Sequence, residues 1–302
     1  MTIRSAARPG RKGGEAGLWL LALPYIVGLV LLVGLPATLT VGLALFDYDL
    51  IRPPAFAGFD NFAELLGDDV FGIVARNSVV FVALAVPLRL LVALSLALIL
   101  HRGSMRGGGF YRLAIFLPIV VPETAFAIAW LWLLNPLYGP INTIVAGAGL
   151  SPVAWLTDPG STHVAMVLLS CFLVGEAFVV AIAARRAIPA ELHDMAVVDG
   201  ASAGALLRHV TLPLMLPILL LLALRDAVLA LQATFVPTLV ITDGGPPPYA
   251  TTYWPLFVYD QAFEYLRYGY AAAATAILIG ITCIIVALQV RILRRWRHWA
   301  WA

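Results

Sequence analysis

Lysine is almost absent from this 302-residue chain: of nineteen basic residues only Lys12 is lysine. Charge of either sign is scarce, at 12% of residues, where a soluble domain carries about 25%. With a net charge of +2 and its arginines scattered between apolar blocks, the chain offers no basic surface for nucleic acid. The two cysteines, Cys171 and Cys283, sit inside apolar blocks without Cys-x-x-Cys spacing, which suggests neither a disulfide framework nor a metal site, and they read as small buried hydrophobes. No Gly-x-x-x-x-Gly-Lys-Ser/Thr run exists, so the chain lacks the usual loop for cradling nucleotide phosphates. His-Glu-x-x-His is missing too, which removes a common metal-hydrolase signature. Five histidines, His101, His163, His193, His209 and His298, lie at or beyond the ends of apolar blocks without ligand spacing and read as solvated or headgroup-facing.

What the chain does have is hydrophobicity, 62% of residues against about 45–50% in a soluble domain. It comes in blocks near 18–46, 72–100, 110–134, 163–184, 213–240 and 270–292, each long enough for the roughly 20 residues a bilayer crossing needs. The expected fold is an all-α membrane protein with six transmembrane helices over 18–292. The first block outruns the roughly 7–15 apolar residues of a signal peptide and reads as a retained anchor. Basic residues alternate between loops: Arg4, Arg8, Arg11 and Lys12; Arg102, Arg106 and Arg112; Arg185, Arg186 and Arg208; then Arg291, Arg294, Arg295 and Arg297. These segments, including tails 1–17 and 293–302, are predicted to be cytoplasmic, while the acid-rich loops lie outside. Prolines inside the blocks, among them Pro24, Pro36, Pro87, Pro118, Pro122, Pro213, Pro217 and Pro237, favour a packed bundle around a pathway, where neighbours or cavity water satisfy the freed backbone. Trp130, Trp132, Trp155, Trp254, Trp296 and Trp299 fit an interfacial belt.

Five charges fall inside the blocks: Arg89, Glu123, Glu176, Arg225 and Asp226. Each is costly in hydrocarbon and should face the bundle interior or water. Pairing between helices is the plainer reading. The functional one sets Glu176, Gln232 and Thr234 along a path for a hydroxyl-rich ligand, which needs hydrogen-bonding partners in an otherwise apolar cavity.

The segment 189–208 is amphipathic rather than spanning. From Pro189 the acids Glu191 and Asp194 suit a helix start, Gly200 permits a sharp bend, and Ala203 to Leu207 read as a second short helix running up to Pro213. Such a knob can dock in a groove on a soluble partner, or lie passively on lipid. Its pattern resembles the "EAA" loop of ABC importer permeases, Glu-Ala-Ala, three residues, Gly, nine residues, Ile, one residue, Leu-Pro. Those positions hold Asp194, Met195, Ala196, Gly200, Val210, Leu212 and Pro213 with every spacing kept, and Asp194 and Met195 as departures. The run Asp199-Gly200-Ala201-Ser202 is typical of the sugar-importer branch. Gly58-Phe59-Asp60-Asn61-Phe62, Asn77-Ser78, Tyr111-Arg112 with Phe116-Leu117-Pro118, Leu133-Leu134-Asn135-Pro136 with Tyr138-Gly139, Thr242-Asp243-Gly244-Gly245-Pro246 and Gly269-Tyr270-Ala271 are similar to the first permease of oligosaccharide and glycerol-3-phosphate importers. In that family's sugar permeases the position of Glu176 more often holds an apolar or aromatic residue, and that of Cys171 a Trp.

The resemblance implies a non-catalytic subunit of a bacterial inner-membrane importer, with both termini cytoplasmic. Its implied partners are a second related permease, two ATPase subunits that bind the ATP and Mg, an extracytoplasmic solute-binding protein, and a di- or oligosaccharide substrate. Glu191, Asp194, Met195, Ala196, Asp199, Gly200 and Ala201 would form the short cytoplasmic coupling helix between spans four and five that meets the ATPase. The same machinery importing glycerol-3-phosphate or a glycerophosphodiester is an alternative. An ion-coupled secondary transporter using Glu123, Glu176 and Asp226 is the rival from another class, and an intramembrane enzyme the third.

Overall fold

The computed structural model describes residues 12–101, 107–232, 234–245 and 249–297. Arg4, Arg8, Arg11, Arg102, Arg106, Pro246, His298 and Trp299, named above, lie outside the described residues.

Helices carry the molecule. Among the described residues four are long and apolar enough to cross a bilayer: Leu20–Leu43, Asp69–Leu100, Ala203–Gln232 and Tyr268–Arg294. Two further pairs pass the same test only together, Gly108–Val120 with Glu123–Leu133, bent by 100°, and Pro159–Leu173 with Gly175–Arg186, bent by 51°. The six predicted blocks are therefore all helical, and a count of six spans treats each bent pair as one. The first bend falls at Val121-Pro122, where proline removes a donor and disfavours helical geometry before it. The second contains no proline. Val174 leads directly into Gly175, whose Cα faces the Ile115 carbonyl and the Phe116 backbone; an added Cβ would lie 3.0 Å from both. Close approach of the two bent pairs thus explains that glycine.

The Asp69–Leu100, Gly175–Arg186 and Ala203–Gln232 helices pack on one another around Ala93, Ala97, Leu100, Phe178, Ala181 and Met215. Alanines at the contact let the backbones approach closely, as helix association in lipid requires. At the opposite end, Phe71, Val74, Trp254, Phe257, Tyr270 and Ala272 to Ala274 form a second core. Trp254 belongs there rather than to an interfacial belt: it is 4% exposed, and its indole Nε1 donates to the Ala274 carbonyl at 3.0 Å. His163 is likewise half-buried rather than headgroup-facing, with Nδ1 3.3 Å from the Tyr253 hydroxyl.

Many of the family-like motifs turn out to be backbone locks at this end. Asn61 donates from its side-chain amide to the carbonyls of Ala44 and Phe46, the latter beside the two-residue strand pairing of Phe46–Asp47 with Ala55–Phe56. Asn77 donates to the Tyr249 carbonyl, and the Ser78 hydroxyl accepts from the Trp254 N–H at 2.9 Å. The Tyr270 hydroxyl donates to Asp68 at 2.6 Å. Gly269 has the tightest fit, because a Cβ there would collide with the Phe46 carbonyl oxygen, a backbone atom that cannot swing away. Gly269→Ala should therefore destabilise the fold by roughly 3 kcal/mol, checked as a lowered midpoint of thermal unfolding in detergent micelles.

Between the last two long helices lies the short helix Trp254–Tyr259, continued by a π turn over Asp260–Glu264. Burial, then the neighbouring carboxylates of Glu264 and Asp243, push the Asp260 carboxyl up to about 6. A raised acid binds a proton in the folded state that the unfolded chain has already lost. Stability should thus fall as pH rises from about 4 to about 6 and level off above that. Asp260→Asn should flatten that slope in thermal melts taken across the same window.

Candidate functional site

Three helix breaks meet at one cavity of about 280 Å³. Its wall includes Ile119 and Val121 from the first bend, Leu173 from the second, and Thr234 and Pro237 from the segment after Gln232. Phe81, Phe126, Met166 and Leu169 make most of the rest apolar, while Arg89, Glu123, Glu176 and Ser170 add polar groups. An apolar pocket with a few convergent polar side chains, at a junction of interrupted helices, is where a transported or bound small molecule is expected.

The charges are not scattered. Arg225 lies 2.6 Å from Glu176 and 3.7 Å from Asp226, and Arg89 lies 3.8 Å from Asp226 on its other side. Arg89 comes from the Asp69–Leu100 helix, Glu176 from Gly175–Arg186, and Arg225 and Asp226 from Ala203–Gln232. Ion pairing between helices therefore accounts for four of the five intramembrane charges and ties the three helices together. Arg89 also donates to the Leu173 carbonyl at 3.3 Å, one of the groups freed by the second bend. Asp226 is 1% exposed and accepts no hydrogen bond among the described residues, so only the two guanidinium groups compensate its charge.

Of the three residues expected along a ligand path, the fold brings two together. Glu176 and Thr234 both line the cavity. Thr234 is 5% exposed, and its hydroxyl has no hydrogen-bond partner among the described residues. Gln232 is exposed and is not part of the cavity wall. Ser170 and Met166 line the wall without having stood out in the sequence. Both sit on the Pro159–Ser170 helix, whose inward face the sequence alone does not orient, and no motif marks either one.

At the other end, the helix Ala190–Val198 projects from the bundle with no buried residue. Met195, Val197 and Val198 are 64%, 63% and 86% exposed, an apolar surface uncommon on a free helix. Pro189 sits just before the helix, at its cap, rather than in its first turn. At its end the Ala201 N–H bonds the Ala196 carbonyl and the Gly200 N–H the Val197 carbonyl, with Gly200 at φ +83°. That is the glycine-terminated helix stop, in which a left-handed residue satisfies the last carbonyls. Ser202 then caps the next helix, accepting from the Ala205 N–H at 3.3 Å.

Here one expectation is corrected. Ala203 to Leu207 is not a separate short helix ending at Pro213; it is the first turn of the long Ala203–Gln232 helix. A π turn over Leu207–Thr211 changes the bonding register, so Pro213 falls in the first turn after it, where its missing N–H leaves no gap. The second half of the segment is consequently continuous with a spanning helix, while the exposed Ala190–Val198 helix joins it through the turn at Asp199 to Ser202.

Residues 89–298 match the model of the family described as "Binding-protein-dependent transport system inner membrane component". The chain is 29% identical over 297 residues to the probable ABC transporter permease protein YesP of Bacillus subtilis, covering 97% of this chain and 95% of that one. It is 31% identical to the trehalose/maltose transport system permease protein MalF of Thermococcus litoralis, over 89% of each chain. It is 28% identical to the diacetylchitobiose uptake system permease protein NgcF of Streptomyces coelicolor, over 95% and 89%. Among solved structures, a chain of a bacterial alginate ABC transporter shares the fold, with a TM-score of 0.81, 22% identity and coverage of 94% and 96%.

Proposed function

Because this chain belongs to the family of binding-protein-dependent transport system inner membrane components, we propose that it is the permease subunit of an ATP-driven importer for a di- or oligosaccharide. It would form half of the translocation path beside a second, related permease. Two cytoplasmic ATPase subunits would bind the ATP and Mg, and an extracytoplasmic binding protein would deliver the sugar. The observation that carries this reading is the exposed, glycine-terminated Ala190–Val198 helix, standing between apolar helices at the family spacing. In a passive interfacial helix the acids Glu191, Asp194 and Asp199 would gain nothing by being held on a rigid projection. On a docking helix they offer charge around the apolar Met195, Val197 and Val198.

The mechanical consequence follows from that connection. A short turn, Asp199 to Ser202, joins the knob to Ala203–Gln232, and the Arg89, Glu176, Arg225 and Asp226 pairs bind that helix to its two neighbours. Closure of the ATPases on ATP would thus move a three-helix body as a unit. The cavity formed by the helix breaks would then open to one side or the other, a population shift set by partner contacts. The names of the relatives that carry trehalose, maltose or diacetylchitobiose support a saccharide as the cargo. A glycerol phosphate is less well served, since both guanidinium groups near the cavity are already engaged by carboxylates.

Vanadate-sensitive uptake of a labelled disaccharide by vesicles holding the assembled complex, together with co-purification of an ATPase, is the expected result. Uptake that follows an ion gradient and ignores vanadate would support the secondary-transporter reading instead. Within the complex, Glu176→Gln should weaken transport affinity about tenfold, through loss of the Arg225 pair at the cavity wall; an unchanged affinity and substrate preference would remove Glu176 from the path.

A further inference from the structure

Glu123 stands apart from the other charges at the cavity. Arg89 and Glu176 line the wall as halves of ion pairs, whereas Glu123 has neither an ion pair nor a hydrogen bond among the described residues. It opens the Glu123–Leu133 helix directly after the 100° bend and lines the cavity. Counting the groups in and behind the wall, Arg89 and Arg225 stand against Glu123, Glu176 and Asp226, two positive charges against three negative. The excess is Glu123. On the same wall, Thr234 is 95% buried with a hydroxyl that has no partner among the described residues, which marks a place where a ligand hydroxyl would complete the site.

We propose that Glu123 makes this cavity selective by charge, so that it takes neutral and amine-bearing saccharides and rejects those carrying a carboxylate or sulfonate. This rests on the importer reading and adds a substrate class to it. Both guanidinium groups are committed to carboxylates, so an anionic sugar would find no free positive charge and would face one unpaired negative one. A protonated amine would find the reverse. With two unit charges several ångströms apart at the effective dielectric of a partly wet site, the difference between the two ligands should reach about tenfold or more in affinity. Thr234 plays a different part: a hydroxyl donates to or accepts from any sugar hydroxyl and reads no charge.

The test uses the assembled importer in lipid nanodiscs without nucleotide, and three disaccharides of one linkage: a neutral one, a diamine and a di-uronate. Equilibrium dialysis should rank them diamine, neutral, di-uronate, with at least about a tenfold span. Glu123→Gln should compress that span to within about threefold, while Thr234→Val should weaken all three by a similar factor and leave the span intact. Raising the salt concentration should narrow the wild-type span, a readout independent of whether either variant assembles. A di-uronate that binds wild type as well as the diamine overturns the charge rule. So does a span that survives Glu123→Gln, which would place the carboxylate in a contact with the second permease instead. Neither outcome touches the importer assignment, which fails only if vanadate-sensitive uptake and the ATPase are both missing.

Discussion

Gly200→Leu should leave the assembled complex hydrolysing ATP while sugar uptake falls by roughly 100-fold, the size of a typical coupling free energy between two sites. The position holds φ +83°, where a side chain costs about 1–2 kcal/mol of backbone strain. A Cβ there would meet no atom of this chain within 4 Å. Gly200→Ala should therefore bear only the strain and keep most of the transport. Leucine adds bulk into open space, where on the importer reading the groove of an ATPase would close over the end of the Ala190–Val198 helix. The contrast between the two variants separates a folding effect from a docking effect. ATPase turnover and uptake measured side by side in proteoliposomes supply the readout, and full uptake by the leucine variant would sink the coupling role of the knob.

Asp226→Ala should be the most damaging change inside the bundle, costing about 3–5 kcal/mol by leaving buried charge uncompensated. Asp226 is the junction of the network: 1% exposed, between Arg89 at 3.8 Å and Arg225 at 3.7 Å. Arg225 would retain Glu176, but Arg89 would keep only the Leu173 carbonyl. The expected result is loss of the folded complex from detergent extracts. Replacing both ends together, Arg89→Met with Asp226→Leu, should recover much of that loss, because two apolar side chains of similar volume leave no charge to compensate. A double-mutant cycle on thermal midpoints measures the coupling. Additive losses would show that the two side chains do not act as a pair.

The sequence read well where the physics is local. Apolar blocks of bilayer length, Pro122 and the spacing around Gly200 each follow from a few neighbouring residues and correspond to helices, a bend and a helix stop, whereas Pro24, Pro87 and Pro217 lie inside continuous helices. It read less well where register and partners matter. Trp254 looks like a belt residue by position and is a core residue by contact. Ala203 to Leu207 looks like a separate helix because Pro213 follows, yet a π turn carries the chain through. The bend at Val174-Gly175 has no proline to announce it, and the backbone of Ile115 and Phe116 that lies against Gly175 comes from a remote segment.

For the candidate site the division is similar. Glu176 and Thr234 were visible as polar residues out of place in apolar blocks, but so was Gln232, which the fold leaves outside the cavity. That Glu176 is paired and Glu123 is not could not be read from one dimension, because the pairing residue Arg225 is 49 positions from Glu176 in the chain.

Composition and spacing by themselves determined that this chain lives in a bilayer as a set of helices and carries a short exposed helix that stops at a glycine, because hydrophobicity, proline and left-handed glycine act over a few residues. Which charges neutralise one another, which hydroxyl stays without a partner, and where three interrupted helices leave a space were decided only by the tertiary structure. Those properties depend on distances between segments remote in sequence, and an ion pair in a medium of low dielectric changes strength steeply with such distances.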